Sequence, residues 1–287
     1  MSTEYHVLSL GAGVQSTTLY LMFAQGLLKP PLDCAIFADT GEEPVAVYQH
    51  LEWLQAVGGA PIWIRQKSRL GDDLMRGENS TKQRFASIPA YTAIVEGGRE
   101  GMLRRQCSKE YKIDVIERAI RYELIGLRPR QRIPKDVVIV QYIGISIEEA
   151  GRALRMRNNP NRNKKWMDLR FPLMDKAMTR ADCFTWLKEI GNVPHQVPRS
   201  ACVFCPYHND SEWQAIKKNP VDWARAVAID NALRIPGRVV NRKVDQKLYV
   251  HRSCVPLEKI KFNGRLNPRE LQLGLGFTTE CEGVCGV

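Results

Sequence analysis

The stretch His6-Val7-Leu8-Ser9-Leu10-Gly11-Ala12-Gly13-Val14-Gln15-Ser16 decides the fold, because it joins a short apolar run to a turn of small residues. Apolar residues at helical spacing follow from Thr17 to Gln25, so the pattern predicts a strand, a tight turn and a helix. Small residues let the backbone approach a ligand closely, and successive N–H groups at a helix start attract anions. The turn at residues 11–16 is therefore a candidate phosphate-binding loop, with a plain strand-to-helix connection as the alternative.

The alternation of strand and helix patterns continues beyond this loop. The patterns predict strands at residues 34–38, 62–64 and 137–143, helices at 45–57, 108–122, 179–190, 211–218 and 221–233, and an irregular stretch at 66–104. Alternating units of this length predict an α/β fold built on a doubly wound parallel sheet. Ligands of such sheets bind at the carboxyl ends of the strands, so the loops after Leu10 and Ala38 are the first candidates for a site.

The composition is that of an ordinary globular chain with an unusual charge. Of its 287 residues, 42 are Lys or Arg and 31 are Asp or Glu, which gives a formal net charge of +11. The hydrophobic share of 44% excludes wholesale disorder, and the length suits one large domain or two unequal ones. No apolar run approaches the roughly 18 residues of a membrane span. Without a signal-peptide pattern at the first residues, we expect a cytoplasmic protein with no membrane contact.

Two further groups of polar residues follow predicted strands. Asp39 and Thr40, within Phe37-Ala38-Asp39-Thr40-Gly41-Glu42-Glu43, offer a carboxylate and a hydroxyl where the ribose or base of a nucleotide would lie. The alternative for these two residues is a turn that caps the next helix. Gly144-Ile145-Ser146 and the later Arg152 form the other group. An arginine there can grip phosphate in a bidentate fork, and a solvated surface charge is the alternative.

These groups resemble the motifs of one known superfamily. The loop is similar to the PP-loop, Ser-Gly-Gly-x-Asp-Ser, of ATP pyrophosphatases and adenylyl-sulfate reductases, with Gln15 at the Asp position. Residues 39–43 resemble the Asp-Thr-Gly-x-Glu segment of phosphoadenosine phosphosulfate (PAPS) reductases. Residues 144–152 resemble the family's Gly-Ile-Arg-x-x-Glu-Ser-x-x-Arg segment, from which Ser146 and Ala150 depart.

The chain thus resembles the PAPS reductase-like branch of the PP-loop, or adenine nucleotide alpha hydrolase-like, superfamily. The resemblance implies that ATP or a sulfonucleotide binds with Mg²⁺. It assigns Arg152 a catalytic role as a phosphate clamp. The nucleotide contacts that it implies come from Gly11, Ala12, Gly13, Val14, Gln15, Ser16, Asp39, Thr40 and Gly144.

Eight cysteines in a chain without an export signal favour metal ligands, catalysis or simple thiols over disulfides. Cys107 and the turn Cys202-Val203-Phe204-Cys205 resemble the cluster-binding segments of iron–sulfur adenylyl-sulfate reductases, although Gln106 replaces a cysteine of that pattern. A [4Fe–4S] cluster and a Zn²⁺ site both need about four ligands. Pro206, directly after Cys205, favours the cluster, with zinc as the alternative. For the fourth ligand we favour Cys285, with Cys281, Cys254, His208 and Cys183 as alternatives.

The C-terminal tail offers a second role for a thiol. Glu280-Cys281 resembles the Glu-Cys-Gly-x-His tail of PAPS reductases, whose cysteine attacks the sulfonate sulfur, so Cys281 is a candidate catalytic nucleophile. Cys285 and the missing histidine depart from that tail. Cys281 is alternatively a cluster ligand, a persulfide carrier, or half of a redox or structural pair with Cys285. Cys34 and Cys183 lie within apolar patterns and are interpreted as core thiols.

More than half of the net charge lies in residues 151–170, where seven basic side chains and one acid give +6. This segment also has Asn-rich sequence, interpreted as irregular backbone, with Trp166 and Phe171 as stacking surfaces. Clustered Arg and Lys near aromatic rings are typical of a polyanion site, and a solvated loop is the alternative. We therefore expect DNA or RNA to bind here as acceptor. The basic residues are Arg152, Arg155, Arg157, Arg162, Lys164, Lys165 and Arg170.

These observations predict a nucleotide-binding domain at residues 1–150, followed at 151–287 by the basic segment and a helical, cysteine-bearing region. The leading hypothesis is an ATP pyrophosphatase-type sulfurtransferase that adenylates a nucleic acid and delivers sulfur from a donor through the cysteine or iron–sulfur site. The first alternative is a PAPS or adenylyl-sulfate reductase with Cys281 as nucleophile and a thioredoxin-like reductant. The second is a degenerate nucleic-acid-binding partner, for which Gln15 is the main support.

Overall fold

A five-stranded, all-parallel sheet forms the centre of the protein, whose computed structural model describes residues 3–92, 101–159, 164–235 and 247–262. In chain order the strands are β1 Thr3–Ser9, β2 Cys34–Asp39, β3 Ile62–Gln66, β4 Tyr91–Thr92, β5 Gly101–Met102, β6 Val137–Ile143, β7 Met167–Arg170 and β8 Leu248–Tyr249. The central sheet has the order β3-β2-β1-β6-β7, so β1 lies in its middle. Val7 stands opposite Cys34 of β2 and Gln141 of β6.

Helices cover the sheet. They are α1 Val14–Ala24, α2 Val45–Val57, α3 Leu70–Arg76, α4 Asp114–Ala119, α5 Ala150–Asn158, α6 Pro172–Asp175, α7 Arg180–Glu189, α8 Asp210–Lys218 and α9 Pro220–Leu233. Helix α4 is flanked by π-helical turns at Lys109–Ile113 and Ile120–Leu124, and 3₁₀ turns occur at Ile147–Glu149 and Leu257–Lys259. Among the described segments, no helix is long and apolar enough to cross a membrane.

The two faces of the sheet carry separate cores, because successive side chains of a strand point to opposite faces. Leu8 packs in a cluster with residues of α1, α2 and α7, whereas its neighbour Val7 packs in another with Ile116 of α4 and Ile139. Burial on both faces explains why all residues of β6 except Gln141 are apolar. The expected α/β fold with a parallel sheet between helices is therefore confirmed.

A third cluster lies beside the sheet and contains the central cysteines. It joins Trp213 of α8, residues of α9 and Tyr111 of the helical turn before α4, and it includes Cys202. The small antiparallel sheet β5-β4-β8 contributes Leu248 to it. The helical region after residue 170 is thus present, whereas its terminal cysteines Cys281 and Cys285 lie outside the described residues.

Two stretches differ from the sequence expectation. Residues 66–104, interpreted as irregular, contain α3 and the two short strands β4 and β5. The backbone at 151–170, also interpreted as irregular, forms α5 and then β7, the fifth strand of the central sheet. Strand β7 alternates buried Met167 and Leu169 with exposed Asp168 and Arg170, as a half-buried strand does. The sheet therefore draws one strand from beyond residue 150.

Candidate functional site

The loop at residues 11–16 lies at the carboxyl end of the central strand β1 and is buried throughout. Ser16 Oγ accepts a hydrogen bond from the N–H of Gly11 (3.2 Å) and donates one to the carbonyl of Gly13 (3.3 Å), which closes the loop on itself. Ala12 has a φ of 59°, a left-handed conformation that is unfavourable for a residue with a Cβ and that the surrounding loop must hold in place. Helix α1 begins at Val14 with no side-chain cap, so its positive end faces the loop.

Gln15 connects this loop to the segment after β6. Its Nε2 donates to Ser146 Oγ (2.9 Å) and to Glu149 Oε2 (2.7 Å). The other Glu149 oxygen accepts a hydrogen bond from Arg152 Nη1 (2.8 Å). Gly144 is buried at the end of β6, beside this chain of contacts. The first and third predicted groups therefore meet, through Ser146 and Glu149, which the motif comparison had not assigned to the site.

Asp39 and Thr40 stand at the neighbouring strand end. Asp39 Oδ1 accepts hydrogen bonds from the N–H of Gly41 (2.7 Å) and from the Tyr48 hydroxyl (2.9 Å), so Asp39 forms a turn, although it does not cap α2, which begins after Pro44 with no side-chain cap. Burial, and then the charge of Asp39, raise the pKa of Tyr48, which keeps this hydroxyl protonated. Thr40 is buried, and its Oγ1 lies 3.2 Å from Cys202 Sγ.

The contact between Thr40 and Cys202 joins two motifs that are 162 residues apart in the sequence. The cysteine turn docks on the loop after β2 by its backbone too, since the N–H of Val203 donates to the carbonyl of Glu42 (2.8 Å). Within the turn, the N–H of Cys205 donates to the carbonyl of Cys202 (2.8 Å). The Cys-x-x-Cys turn is therefore seated at the same edge of the sheet as the candidate phosphate loop.

Buried ion pairs fix this arrangement. Lys112 Nζ lies 3.0 Å from Glu43 Oε1, and the two residues are 2% and 4% exposed. Ser200, two residues before the cysteine turn, donates to the other Glu43 oxygen (3.1 Å). Lys112 follows Cys107 in the chain by five residues, so Glu43 ties the Cys107 segment and the cysteine turn to one loop. The sequence signal for Lys112 was its place in the segment that resembles the cluster-binding motif.

Glu42 anchors the same loop on its other side. Arg225 of α9 donates to both Glu42 oxygens (2.8 and 2.5 Å) and to Asp72 of α3 (2.5 Å). The hydrogen bond to Glu42 contributes most to raising the pKa of Arg225, so the guanidinium stays charged. Sequence reasoning missed Arg225, because its partners are distant in the chain.

Two other predicted metal ligands, Cys107 and Cys205, have described positions. Cys107 and Cys205, both partly buried, pack against the cluster that contains Cys202, and Arg105 lies 5.2 Å over the ring of Tyr207. Among the residues with described positions, no three His, Cys, Asp or Glu side chains form a group that could hold a metal ion. The favoured fourth ligand Cys285 and the candidate nucleophile Cys281 are outside those positions.

The alternative fourth ligands differ in their surroundings. His208 Nε2 lies 2.9 Å from the carbonyl oxygen of Cys202. Because a carbonyl oxygen only accepts hydrogen bonds, Nε2 is the donor. Burial lowers the pKa of His208. Cys254 is partly buried. Cys183 is fully buried, as is Cys34, which confirms both as core thiols.

Much of the basic segment is engaged in local contacts. Lys164 pairs with Glu117, Arg170 with Asp168 (2.9 Å), and Arg157 lies 5.1 Å over the ring of Phe171. Arg155 and Lys165 are exposed, whereas Arg162 lies outside the described residues. The segment presents exposed cations beside the sheet edge formed by β7.

Behind the loop, a chain of polar contacts runs from α1 to the surface. Thr17 Oγ1 lies 2.9 Å from Nε2 of the buried His50, whose Nδ1 lies 2.8 Å from Nε2 of the exposed His195. Burial, with a smaller contribution from His195, lowers the pKa of His50 to about 4. The residue next to the loop serine therefore contacts a neutral imidazole at physiological pH.

No protein-family model, curated protein or solved structure matches this chain. Two structural features of the protein with different chemistry lie at one edge of its parallel sheet. One is an uncapped helix start behind a loop of small residues, which suits phosphate. The other is a pair of cysteines in a tight turn, one of them beside the loop after β2. Together they suit a reaction between a phosphate-bearing ligand and a sulfur group.

Proposed function

We propose that this chain is an ATP pyrophosphatase-type sulfurtransferase of the PAPS reductase-like branch of the PP-loop superfamily, which adenylates a nucleic acid and delivers sulfur to it. The single observation that carries the proposal is the 3.2 Å contact between Thr40 Oγ1 and Cys202 Sγ. It brings a thiol to the strand-end edge where nucleotides bind in parallel sheets. A structural cysteine turn elsewhere on the surface would not have this neighbour.

The loop holds the nucleotide phosphates in this proposal, together with Mg²⁺. The backbone N–H groups at the start of α1 bind phosphate oxygens, and Gly144 leaves room for the ligand at the end of β6. Arg152 is positioned by Glu149 next to the loop, where its charge stabilises the negative charge of the leaving pyrophosphate. The acceptor oxygen attacks the α-phosphorus, the bond to the β-phosphate oxygen breaks, and pyrophosphate leaves.

The sulfur from the donor attacks the adenylated carbon in the second half of the reaction, the carbon–oxygen bond breaks, and AMP leaves with the oxygen. If Cys281 carries this sulfur as a persulfide, a second thiol then cleaves the S–S bond, which forms a disulfide with Cys281 and leaves the sulfur on the acceptor. Cys202 and Cys205 belong to the sulfur site in the proposal, and Cys281 of the tail is the nucleophile or carrier. The iron–sulfur cluster on Cys107, Cys202, Cys205 and Cys285 is part of the proposal as well. Because the described side chains alone form no metal-holding group, no step is assigned to the cluster. Iron, sulfide and zinc analysis after anaerobic purification tests it separately.

The acceptor is proposed to dock on the exposed cations of the basic segment. Arg155 lies on α5, which follows β6 in the chain, and Lys165 directly precedes the amino end of the edge strand β7. Cations on an exposed face attract the phosphate backbone without reading sequence. In the proposal, a nucleic acid bound along this side of the sheet extends from the amino end of β7 to the carboxyl end of β6, where the nucleotide is held.

Pyrophosphate release from ATP, measured with and without tRNA or DNA, tests the proposal. We expect release that depends on the nucleic acid and is abolished by Ser16→Ala, which opens the loop closure to Gly11 and Gly13. Sulfite release from PAPS or adenylyl sulfate, without pyrophosphate release from ATP, would instead establish the reductase. Salt-dependent nucleic-acid binding without either turnover would leave a binding protein.

A pair of charge reversals tests the acceptor surface. Arg155→Glu with Lys165→Glu should weaken nucleic-acid binding and reduce its salt dependence. The matched control is Lys188→Glu with Lys218→Glu, two exposed lysines outside the basic segment, which gives the same change in net charge. Equal weakening by both pairs would show that only the net charge matters and would remove the docking surface from the proposal.

A further inference from the structure

Four exposed cations lie in the loop that leads into β6, at the edge of the sheet opposite the candidate phosphate loop. This loop, residues 126–136, contains one acid, Asp136. The acids that precede it in the chain, Glu117 and Glu123, pair with cations outside the loop. Within the described residues the four loop cations form no ion pair, so no partner there neutralises their charge. They are Arg128, Arg130, Arg132 and Lys135.

Hydrogen bonds hold this loop in one conformation. Arg121 Nη2 donates to the carbonyl of Gln131 (2.8 Å), and Gln131 Oε1 accepts from the N–H of Arg128 (2.9 Å). Arg130 has a φ of 68°, a left-handed conformation that glycine adopts more cheaply than arginine does. Backbone strain of this kind is often found where a residue has a function, and what arginine adds over glycine here is an exposed charge. Because the loop is already ordered, a ligand that binds these charges loses less entropy.

The start of β7 adds a fifth cation at the same edge of the sheet. Ile133 of the loop and Trp166 pack against one apolar cluster, which places the loop beside the segment before β7. Ile139 of β6 stands opposite Met167 of β7, so the two strands begin at the same edge. The exposed Lys165 precedes β7 directly. The four loop cations and Lys165 are called the amino-edge patch below.

The chemistry of the amino-edge patch favours the phosphates of a nucleic acid. Three of the four loop cations are arginines, whose planar guanidinium groups suit phosphate oxygens. Membrane-binding surfaces combine cations with exposed apolar side chains. Within residues 126–136 no large apolar side chain is exposed, since Leu127 is buried and Ile133 packs inward. The patch therefore suits a hydrated, charged backbone better than a lipid surface.

We propose that the amino-edge patch binds the phosphate backbone of the same nucleic acid whose acceptor group reaches the candidate phosphate loop. The inference rests on the proposed function, since it takes the acceptor to be a nucleic acid. Strand β6 has 7 residues, so its two ends are about 20 Å apart, the length of about six base pairs. A shorter duplex reaches only one of the two edges. The affinity of the protein for nucleic acid should therefore rise once the duplex is longer than this.

Fluorescence anisotropy of the full chain with labelled DNA and RNA hairpins, at several salt concentrations, tests the proposal. The wild type should bind a stem of about 12 base pairs at least about tenfold more tightly than a stem of about 4 base pairs. Arg130→Gly with Arg132→Gln should lose most of this gain and reduce the slope of log affinity against log salt by about 2. The matched control is Lys188→Gln with Lys218→Gln, which removes two exposed charges elsewhere and should retain the gain.

Arg132→Gln with Lys135→Gln repeats the test with the backbone of Arg130 unchanged, and it decides the question if the first variant does not fold by circular dichroism. A full length-dependent gain in the patch variant, or an equal loss in the control, overturns the patch and leaves the proposed function standing. Sedimentation with phosphatidylserine vesicles that the patch variant abolishes, with its hairpin binding unchanged, would overturn the patch in favour of a membrane surface. Absence of hairpin binding by the wild type at low salt overturns the patch together with the nucleic-acid acceptor.

Discussion

Replacing Lys112 with Met should destabilise the protein far more than removing an ordinary lysine does. The substitution leaves the Glu43 carboxylate buried without its cation, 3.0 Å from where Lys112 Nζ stood. At an effective dielectric constant of about 20, the lost attraction is about 5 kcal/mol. Breaking a buried pair from one side costs about 3–5 kcal/mol in proteins. Since Ser200 still donates to Glu43, we expect a loss near the lower end, about 3 kcal/mol.

Denaturant unfolding at pH 7, followed by circular dichroism and tryptophan fluorescence, measures this loss. The matched control is Lys109→Met, the same substitution one turn earlier, where the lysine is 68% exposed and pairs with Asp114. An exposed pair of this kind contributes about 0–1 kcal/mol. The double variant Glu43→Gln with Lys112→Met removes both charges, so it should recover much of the stability that Lys112→Met loses.

The comparison between the two lysines can refute the reasoning. Equal losses for Lys112→Met and Lys109→Met would mean that water reaches Glu43 and that the pair does not hold the three motif segments together. A double variant no more stable than Lys112→Met would point to lost packing of the lysine stem instead of an uncompensated charge.

Two other predictions concern His50 and Arg225. Because the pKa of His50 is lowered to about 4 in the folded protein and is about 6.5 when unfolded, the unfolded chain binds more protons between these values. Stability from His50 is therefore complete above pH 6.5 and is lost as the pH falls toward 4, by up to about 3 kcal/mol. His50→Gln should flatten the pH dependence of the unfolding free energy, and an unchanged slope would contradict the assignment. Arg225→Met leaves the buried Glu42 without its bidentate partner and should cost about 3 kcal/mol. Arg65→Met, at an exposed pair with Glu123, is its control and should cost under about 1 kcal/mol; equal costs would exclude the anchoring role of Arg225.

Helices and strands with a long hydrophobic pattern could be predicted from the sequence. The helix at 45–57 and the strand at 137–143 are confirmed with the same bounds, because 13 residues of helical spacing and a 7-residue run in which only Gln141 is polar leave little ambiguity. Strand β7 has only 4 residues, and its two inward side chains stand between charges that suggested a solvated segment. Helix α3, with 7 residues and no side-chain cap, lacks both length and a start signal.

The position of the candidate site could be predicted, whereas its internal contacts could not. In a parallel sheet the carboxyl ends of neighbouring strands lie at the same edge. Gly11, Asp39 and Gly144, at the ends of β1, β2 and β6, are therefore expected to lie close together. The contacts of Gln15 with Ser146 and Glu149 depend on the side-chain rotamers of two segments that are more than 130 residues apart. The contact between Cys202 and Thr40 depends on how the later half of the chain packs against the loop after β2. Neither is encoded in a local pattern.

The two adjacent acids Glu42 and Glu43 explain why the nucleotide edge and the cysteine region form one structural unit. Each carboxylate is almost fully buried, and burying an unpaired charge costs several kcal/mol. Each is compensated by partners that come later in the chain: Arg225 of α9 for Glu42, and Lys112 with Ser200 for Glu43. The conformation of the loop after β2 therefore depends in part on the docking of α9 and of Ser200, beside the contacts from Gly71 and Lys112. Movement of the cysteine turn away from Thr40 would break the hydrogen bond from Ser200 to Glu43 and the one from the Val203 N–H to the Glu42 carbonyl, so contacts other than that of the thiol itself hold the turn at the sheet edge.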